Sequence, residues 1–183
     1  AAGAQAAIRL VRATELPFSL DLIAGVPGVS LTDWAATVGE ALSFHPHHIS
    51  IYSLSVEEHT PLHRAVECGS EQAPDPDEAA DQLELASEML EASGLHRYEI
   101  SNYARSGYES RHNTSYWTGV PYLGLGPAAA SMVNLSDGSR ERFFLHDSIG
   151  GFIADPLPTA PVEVEHLSAH EAAREDAMLG LRL

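Results

Sequence analysis

An imidazole, an amide, a phenol and an indole stand close together at His112, Asn113, Tyr116 and Trp117, between Arg111 and Gly119, in a constellation that begins with Tyr98, Glu99, Ile100, Ser101, Asn102 and Tyr103. Aromatic rings beside a histidine and an amide suit a flat conjugated ligand, which stacks on ring faces and is oriented by a few polar groups. A neutral imidazole is also a normal axial ligand for haem iron. A histidine hydrogen-bonded within an aromatic loop gives the same pattern, so the residues alone leave both readings open. Asp21 is a second candidate, a carboxylate inside the apolar run Phe18 to Ala24. Burying it costs free energy unless something binds it. Strand alternation puts Ser19, Asp21 and Ile23 on one face and Phe18, Leu20 and Leu22 on the other. In a barrel the Asp21 face looks into the lumen; at a sheet edge it looks into water or towards a salt-bridge partner.

Two further clusters carry less. In Tyr122, Leu123, Gly124, Leu125, Gly126 and Pro127 the glycines let backbone approach a ligand or another strand closely. His45, His47 and His48 flank Pro46, which breaks helical ligand spacing, and they read as loop and strand-start residues rather than a metal site. Cys68 is the only cysteine. It cannot close an internal disulfide, and an iron-sulfur cluster takes about three or four thiolates, so this chain cannot hold one alone.

The elements that must position these residues follow from periodicity. Ala7, Ile8, Leu10 and Val11 read as the end of a helix, and Phe18 to Ala24 reads as a buried strand closed by the turn Gly25 to Gly28. Ser30 and Asp33 form a capping box, after which Leu31, Trp34, Val38 and Leu42 recur at helical spacing. His48 to Leu54 is a second strand, so the order is strand, helix, strand, the mark of parallel neighbours joined by a right-handed crossover. Asp75 and Glu78 cap another helix with Pro76 in its first position and Leu83, Ala86, Met89 and Leu90 along one face. Arg97 to Tyr103 reads as a short strand and residues 104–135 as functional loop. Residues Arg140 to Ile153 read as a weak helix, Asp155 to Pro161 as a connector, and Ser168 with Glu171 as the cap of a last helix.

The chain of 183 residues is 44% hydrophobic, enough for a sizeable core. No stretch approaches the roughly 20 apolar residues of a membrane span, and no basic leader precedes an apolar core, so a cytoplasmic protein is expected. The formal charge of −16 repels phosphodiester backbones and argues against a nucleic-acid partner.

Asp21 to Gly28 (Asp-Leu-Ile-Ala-Gly-Val-Pro-Gly), His48 to Leu54 (His-Ile-Ser-Ile-Tyr-Ser-Leu), Tyr98 to Arg105 (Tyr-Glu-Ile-Ser-Asn-Tyr-Ala-Arg) and Arg111 to Trp117 (Arg-His-Asn-Thr-Ser-Tyr-Trp) stand in fixed order. Together with Tyr122 to Pro127 and Met178 to Leu183, they resemble the oxygen-independent coproporphyrinogen III oxidase family of radical S-adenosylmethionine proteins. The resemblance implies an α/β fold: the C-terminal part of a partial (β/α)6 TIM-like barrel over residues 1–65, then an α+β extension over 66–183 with a porphyrin-side loop. The chain would begin just before the fifth barrel strand, without the cluster cysteines, and stop where a small C-terminal domain begins.

By the same resemblance, Asp21, Ser55 and Ala130 contact S-adenosylmethionine, and a 4Fe-4S cluster sits in the full-length parent. His112, Asn113, Tyr116 and Trp117 resemble the haem chaperone branch, with His112 as the possible contact to haem iron. That branch usually carries Gly-Ala-His-Ser after the Gly-Leu-Gly-Pro run, whereas Ala128, Ala129, Ala130 and Ser131 follow here. The readings are therefore haem binding and transfer to an acceptor protein, oxidative decarboxylation of coproporphyrinogen III, or a non-catalytic binding module. This stretch alone is expected to be inactive, and its unpaired strand edge invites self-association.

Overall fold

The computed structural model describes residues 2–156 and 163–183, which divide into two units, 1–109 and 110–183. Residues 157–161 of the proline-rich connector lie outside the described residues.

The first unit runs α1 (Ala2–Arg12), β1 (Ser19–Ala24), α2 (Leu31–Ser43), β2 (His48–Ser53), α3 (Pro61–Glu67), α4 (Pro76–Ala92), β3 (His96–Arg97) and β4 (Asn102–Ala104). Its sheet has the order β1-β2-β4-β3. β1 and β2 are parallel, as the single crossover helix requires, while β4 returns antiparallel to β2. The caps behave as their chemistry dictates. Ser30 Oγ accepts from the Asp33 amide at the start of α2, and the Asp75 carboxylate accepts from the Asp77 and Glu78 amides at the start of α4. Ile49, Ile51 and Ala24 from the strands pack against Trp34 and Val38 of α2 and against Ala86 and Leu90 of α4. Each large apolar side chain buried there contributes about 1.5–3 kcal/mol. Leu31, counted in that stripe from its spacing, is instead exposed at the first turn of α2, where the helix has not yet reached the sheet.

Gln82 ties this core to the first turn. Its Oε1 accepts from the Gly25 amide at 2.8 Å, its Nε2 donates to the Val29 carbonyl at 2.9 Å, and its own carbonyl accepts from the Trp34 indole at 2.7 Å. Gly25 has φ +75, and a Cβ there would lie 2.8 Å from the Ala79 methyl, so both backbone and packing demand glycine. The outer edge of β1 has no strand partner among the described residues. A cleft of about 300 Å3 runs beside it between α1 and α2, lined in part by Ile8, Leu20, Asp21, Glu40 and Phe44.

The second unit runs α5 (Arg111–Trp117), β5 (Ala130–Asn134), β6 (Arg140–Phe144), α6 (Ile149–Ala154), β7 (Glu163–Leu167) and α7 (Ala169–Gly180). Its antiparallel sheet has the order β5-β6-β7. Here the structure departs from the sequence expectations. The stretch read as loop contains α5, capped by the Ser110 hydroxyl, and all of β5. The stretch read as one weak helix is a strand, β6, followed by the short helix α6. Arg140 and Arg142 are held by acids from β7 and α7, so charged side chains, rather than an apolar alternation, mark this strand. α7 does begin with the expected capping box between Ser168 and Glu171. No helix among the described residues is long and apolar enough to cross a membrane.

Candidate functional site

The sheet of the first unit has one face covered by α2 and α4 and one polar face. The parallel register sets Ser19 opposite His48, Asp21 opposite Ser50 and Ile23 opposite Tyr52, so these side chains share the face away from the helices. Asp21 is therefore where alternation predicts it. Its carboxylate is exposed and accepts no hydrogen bond among the described residues. Ser55, also exposed, lies just beyond the C-terminal end of β2. Carboxyl ends of parallel strands are where α/β sheets place ligands. A free carboxylate on that face can accept from hydroxyl or amino groups, so Asp21 fits an S-adenosylmethionine contact chemically. Ala130 opens β5 in the second unit, half-buried, with its carbonyl against Gly124.

Of the other residues on this polar face, Tyr98, Glu99 and Asn102 belong to the constellation singled out from the sequence, whereas sequence reasoning missed His48 and Ser50. His48 Nδ1 lies 2.9 Å from Ser19 Oγ and its Nε2 lies 2.8 Å from the Tyr98 hydroxyl. Glu99, Ser50 and Asn102 are each 4% exposed. Glu99 accepts from the Ser101 amide at 3.1 Å and from the Asn102 side-chain amide, while Asn102 Oδ1 is buried without a partner among the described residues. The available signal was strand parity, because His48 and Ser50 fall in phase with Asp21 once the two strands are taken as parallel.

Burial pushes the His48 imidazole below its ordinary 6.5, against the opposing pull of the Asp21 and Glu99 carboxylates. A histidine depressed on folding is protonated more readily in the unfolded chain, so its stabilising contribution is complete above about pH 6.5 and is lost as pH falls towards the folded value. The urea midpoint should therefore drop as pH is lowered from about 7 to 5, and His48→Gln, which cannot titrate, should flatten that dependence. An unchanged slope in the variant would assign the effect to other groups.

In the second unit, α5 sorts the aromatic motif onto two faces. His112 and Tyr116, four residues apart, are exposed and meet edge-to-face at 4.9 Å between ring centroids, and Tyr116 meets Tyr122 the same way at 4.8 Å. The His112 imidazole makes no hydrogen bond among the described residues. Val120, Leu123 and Leu125 add exposed apolar surface, Leu125 being 85% exposed. Asn113 and Trp117 form the adjacent, half-buried stripe, and the Arg182 guanidinium carbon lies 5.3 Å from the centre of the Trp117 ring. The run Tyr122 to Pro127 owes a glycine to packing. A Cβ on Gly124 would lie 2.1 Å from the Ala130 carbonyl oxygen, beside the bridge between Tyr122 and Met132.

The residues present do not fit an iron-sulfur cluster. Cys68 is exposed at the C-terminal end of α3, where its thiol is lowered from the ordinary cysteine range by hydrogen bonding to Ser70. Among the described residues no group of three or more histidines, cysteines or acids is arranged to hold a metal ion.

No family model matches the chain. Individual relatives do. The heme chaperone HemW of Synechocystis sp. is 37% identical over 91% of this chain and 40% of its own length, and that of Bacillus subtilis is 40% identical over 64% of this chain and 32% of its own. The mitochondrial radical S-adenosyl methionine domain-containing protein 1 of Danio rerio is 38% identical over 68% of this chain and 28% of its own. Among solved structures, the Escherichia coli coproporphyrinogen III oxidase HemN, a radical SAM enzyme, has the same fold, with a TM-score of 0.68 at 20% identity over 90% of this chain and 40% of that one. The chain thus spans about two fifths of the length of the Synechocystis relative and of the HemN chain. With the ordered motifs and these relatives in agreement, the chain is similar in sequence over most of its length to heme chaperone HemW proteins and, over two thirds of it, to a radical S-adenosyl methionine domain-containing protein, and it shares its fold with HemN.

Proposed function

We propose that this chain is the haem-binding part of a haem chaperone and that His112 is its contact to iron. The observation that carries the reading is the exposed imidazole of His112, without a hydrogen-bond partner among the described residues and backed by the edge-to-face rings of Tyr116 and Tyr122. Imidazole nitrogen binds haem iron, and edge-to-face rings with neighbouring apolar side chains offer a surface on which a flat macrocycle can lie. Asn113 and Trp117 complete the motif from the adjacent stripe. The heme chaperone names of the relatives support the same reading.

In the full-length parent we assign S-adenosylmethionine to Asp21, Ser55 and Ala130, and the 4Fe-4S cluster to residues outside this chain. The bound cofactor would supply radical or supporting redox chemistry, while Asp21 accepts hydrogen bonds from it. Residues 1–65 are assigned to the last strands of the barrel and 66–183 to the extension, a partition by relation to a barrel rather than by packing. A cytoplasmic setting, a haem acceptor protein and self-association through the free edge of β1 belong to the same proposal. Titrating the chain with ferric haem tests the core of it. Saturable one-to-one binding with a shifted Soret band is expected, and a spectrum equal to that of free haem would refute it.

A further inference from the structure

We propose that Arg111 and Arg182 bind the carboxylate side chains of the macrocycle, so that α5 selects a planar ligand carrying acid groups over an otherwise identical one without them. The inference rests on the haem-binding reading of His112 and deepens it.

Successive side chains on a helix are rotated by about 100°. On α5 this sets Arg111 about 100° to one side of His112, and Trp117 about 100° beyond Tyr116 on the other. The exposed His112 and Tyr116 stripe is therefore flanked by a guanidinium on each side, since Arg182 lies over the Trp117 ring. A guanidinium resting on an aromatic face keeps its N–H donors in its own plane, which is the fork that a carboxylate accepts from in bidentate fashion.

The protein carries −16 overall, and all ten of its basic residues are arginine. A dianionic ligand approaching such a surface is repelled unless local cations meet it. In the second unit Arg140 and Arg142 are already occupied by Glu175, Asp176 and Glu165. Arg111 and Arg182 have neither ion pair nor hydrogen bond from their side chains among the described residues. Of the acids of α7, which packs against α5, Glu175 and Asp176 are in turn held by Arg140 and Arg142 and Glu171 by the Ser168 cap, so none is paired with these two guanidinium groups.

The test uses ferric haem and its dimethyl ester, in which both propionate groups are esterified, titrated into the native chain and into the double variant R111Q/R182Q. The native chain should bind haem at least about tenfold more tightly than the diester, the scale of one charge-assisted hydrogen bond. The double variant should lose that preference, with diester binding unchanged, which also shows that it is folded. Equal binding of haem and diester by the native chain, unchanged haem affinity in the variant, or equal loss of both ligands overturns this proposal alone. Native chain that binds neither overturns the haem-binding reading and this proposal with it.

Discussion

His112→Ala should lower haem affinity on the order of 100-fold and replace the spectrum of imidazole-bound iron by that of weakly ligated haem. Removal of groups that merely support a metal ligand already costs about 10–100-fold, and His112 would be the ligand itself. The side chain is exposed and makes no hydrogen bond among the described residues, so its removal leaves no buried group unsatisfied and should not cost stability. Tyr116, Tyr122, Leu123 and Leu125 remain, so residual adsorption of the macrocycle is expected, with little change in its apolar component. Absorbance titration of both chains reads the difference. Affinity and Soret maximum equal to those of the native chain would remove His112 from the site.

Arg140→Ala should destabilise the second unit by about 3 kcal/mol, the lower part of the range for breaking a buried ion pair. Arg140 is 3% exposed, and its guanidinium donates to Glu175 at 2.5 Å, to Asp176 at 2.7 Å and to Asn134 at 2.9 Å. Burial opposes its charge, but the acids outweigh that and hold its pKa above the usual arginine range. Removing it strands the largely buried Glu175 carboxylate on a single partner, Arg142, and leaves Asn134 Oδ1 without its donor. Amide exchange at Met132 and Val133 should accelerate about 100-fold, the kinetic equivalent of that loss. Arg142→Ala, at a more exposed position, should cost about 1 kcal/mol or less. Equal effects at the two positions would contradict the assignment of the buried role to Arg140.

The parts legible in the sequence were those in which one physical signal dominates. β1 and β2 are short apolar runs bounded by glycine and proline, and α2 and α4 carry both a cap and a 3.6-residue stripe. The second unit lacked such signals. β6 alternates arginine and glutamate before its phenylalanines, and β7 reads Glu-Val-Glu-His-Leu, so their pairing rests on cross-strand ion pairs that a one-dimensional pattern does not display. α5 has only seven residues and sits in glycine- and tyrosine-rich surroundings, and the Ser110 cap was its sole start signal.

The same division runs through the site. Strand parity was enough to put Asp21 on the polar face, and four-residue spacing accounts for the edge-to-face contact of His112 with Tyr116. His48 was passed over because it reads as a strand-start residue in a histidine cluster broken by Pro46, although the parallel register brings it beside Ser19 and within reach of Tyr98. Arg182 over Trp117 joins residues 65 positions apart through the packing of α7 on α5, which no local pattern encodes.

The central claim, that His112 meets haem iron, is tested most directly by proton NMR of the chain loaded with ferric haem, with histidine rings selectively labelled. Ring protons of a coordinating imidazole are carried far outside the diamagnetic range, and the chain has ten histidines to compare. One histidine should show such shifts, and its signals should vanish in His112→Ala. Shifted signals that persist in that variant, or that arise from any of the other nine positions, would contradict the account.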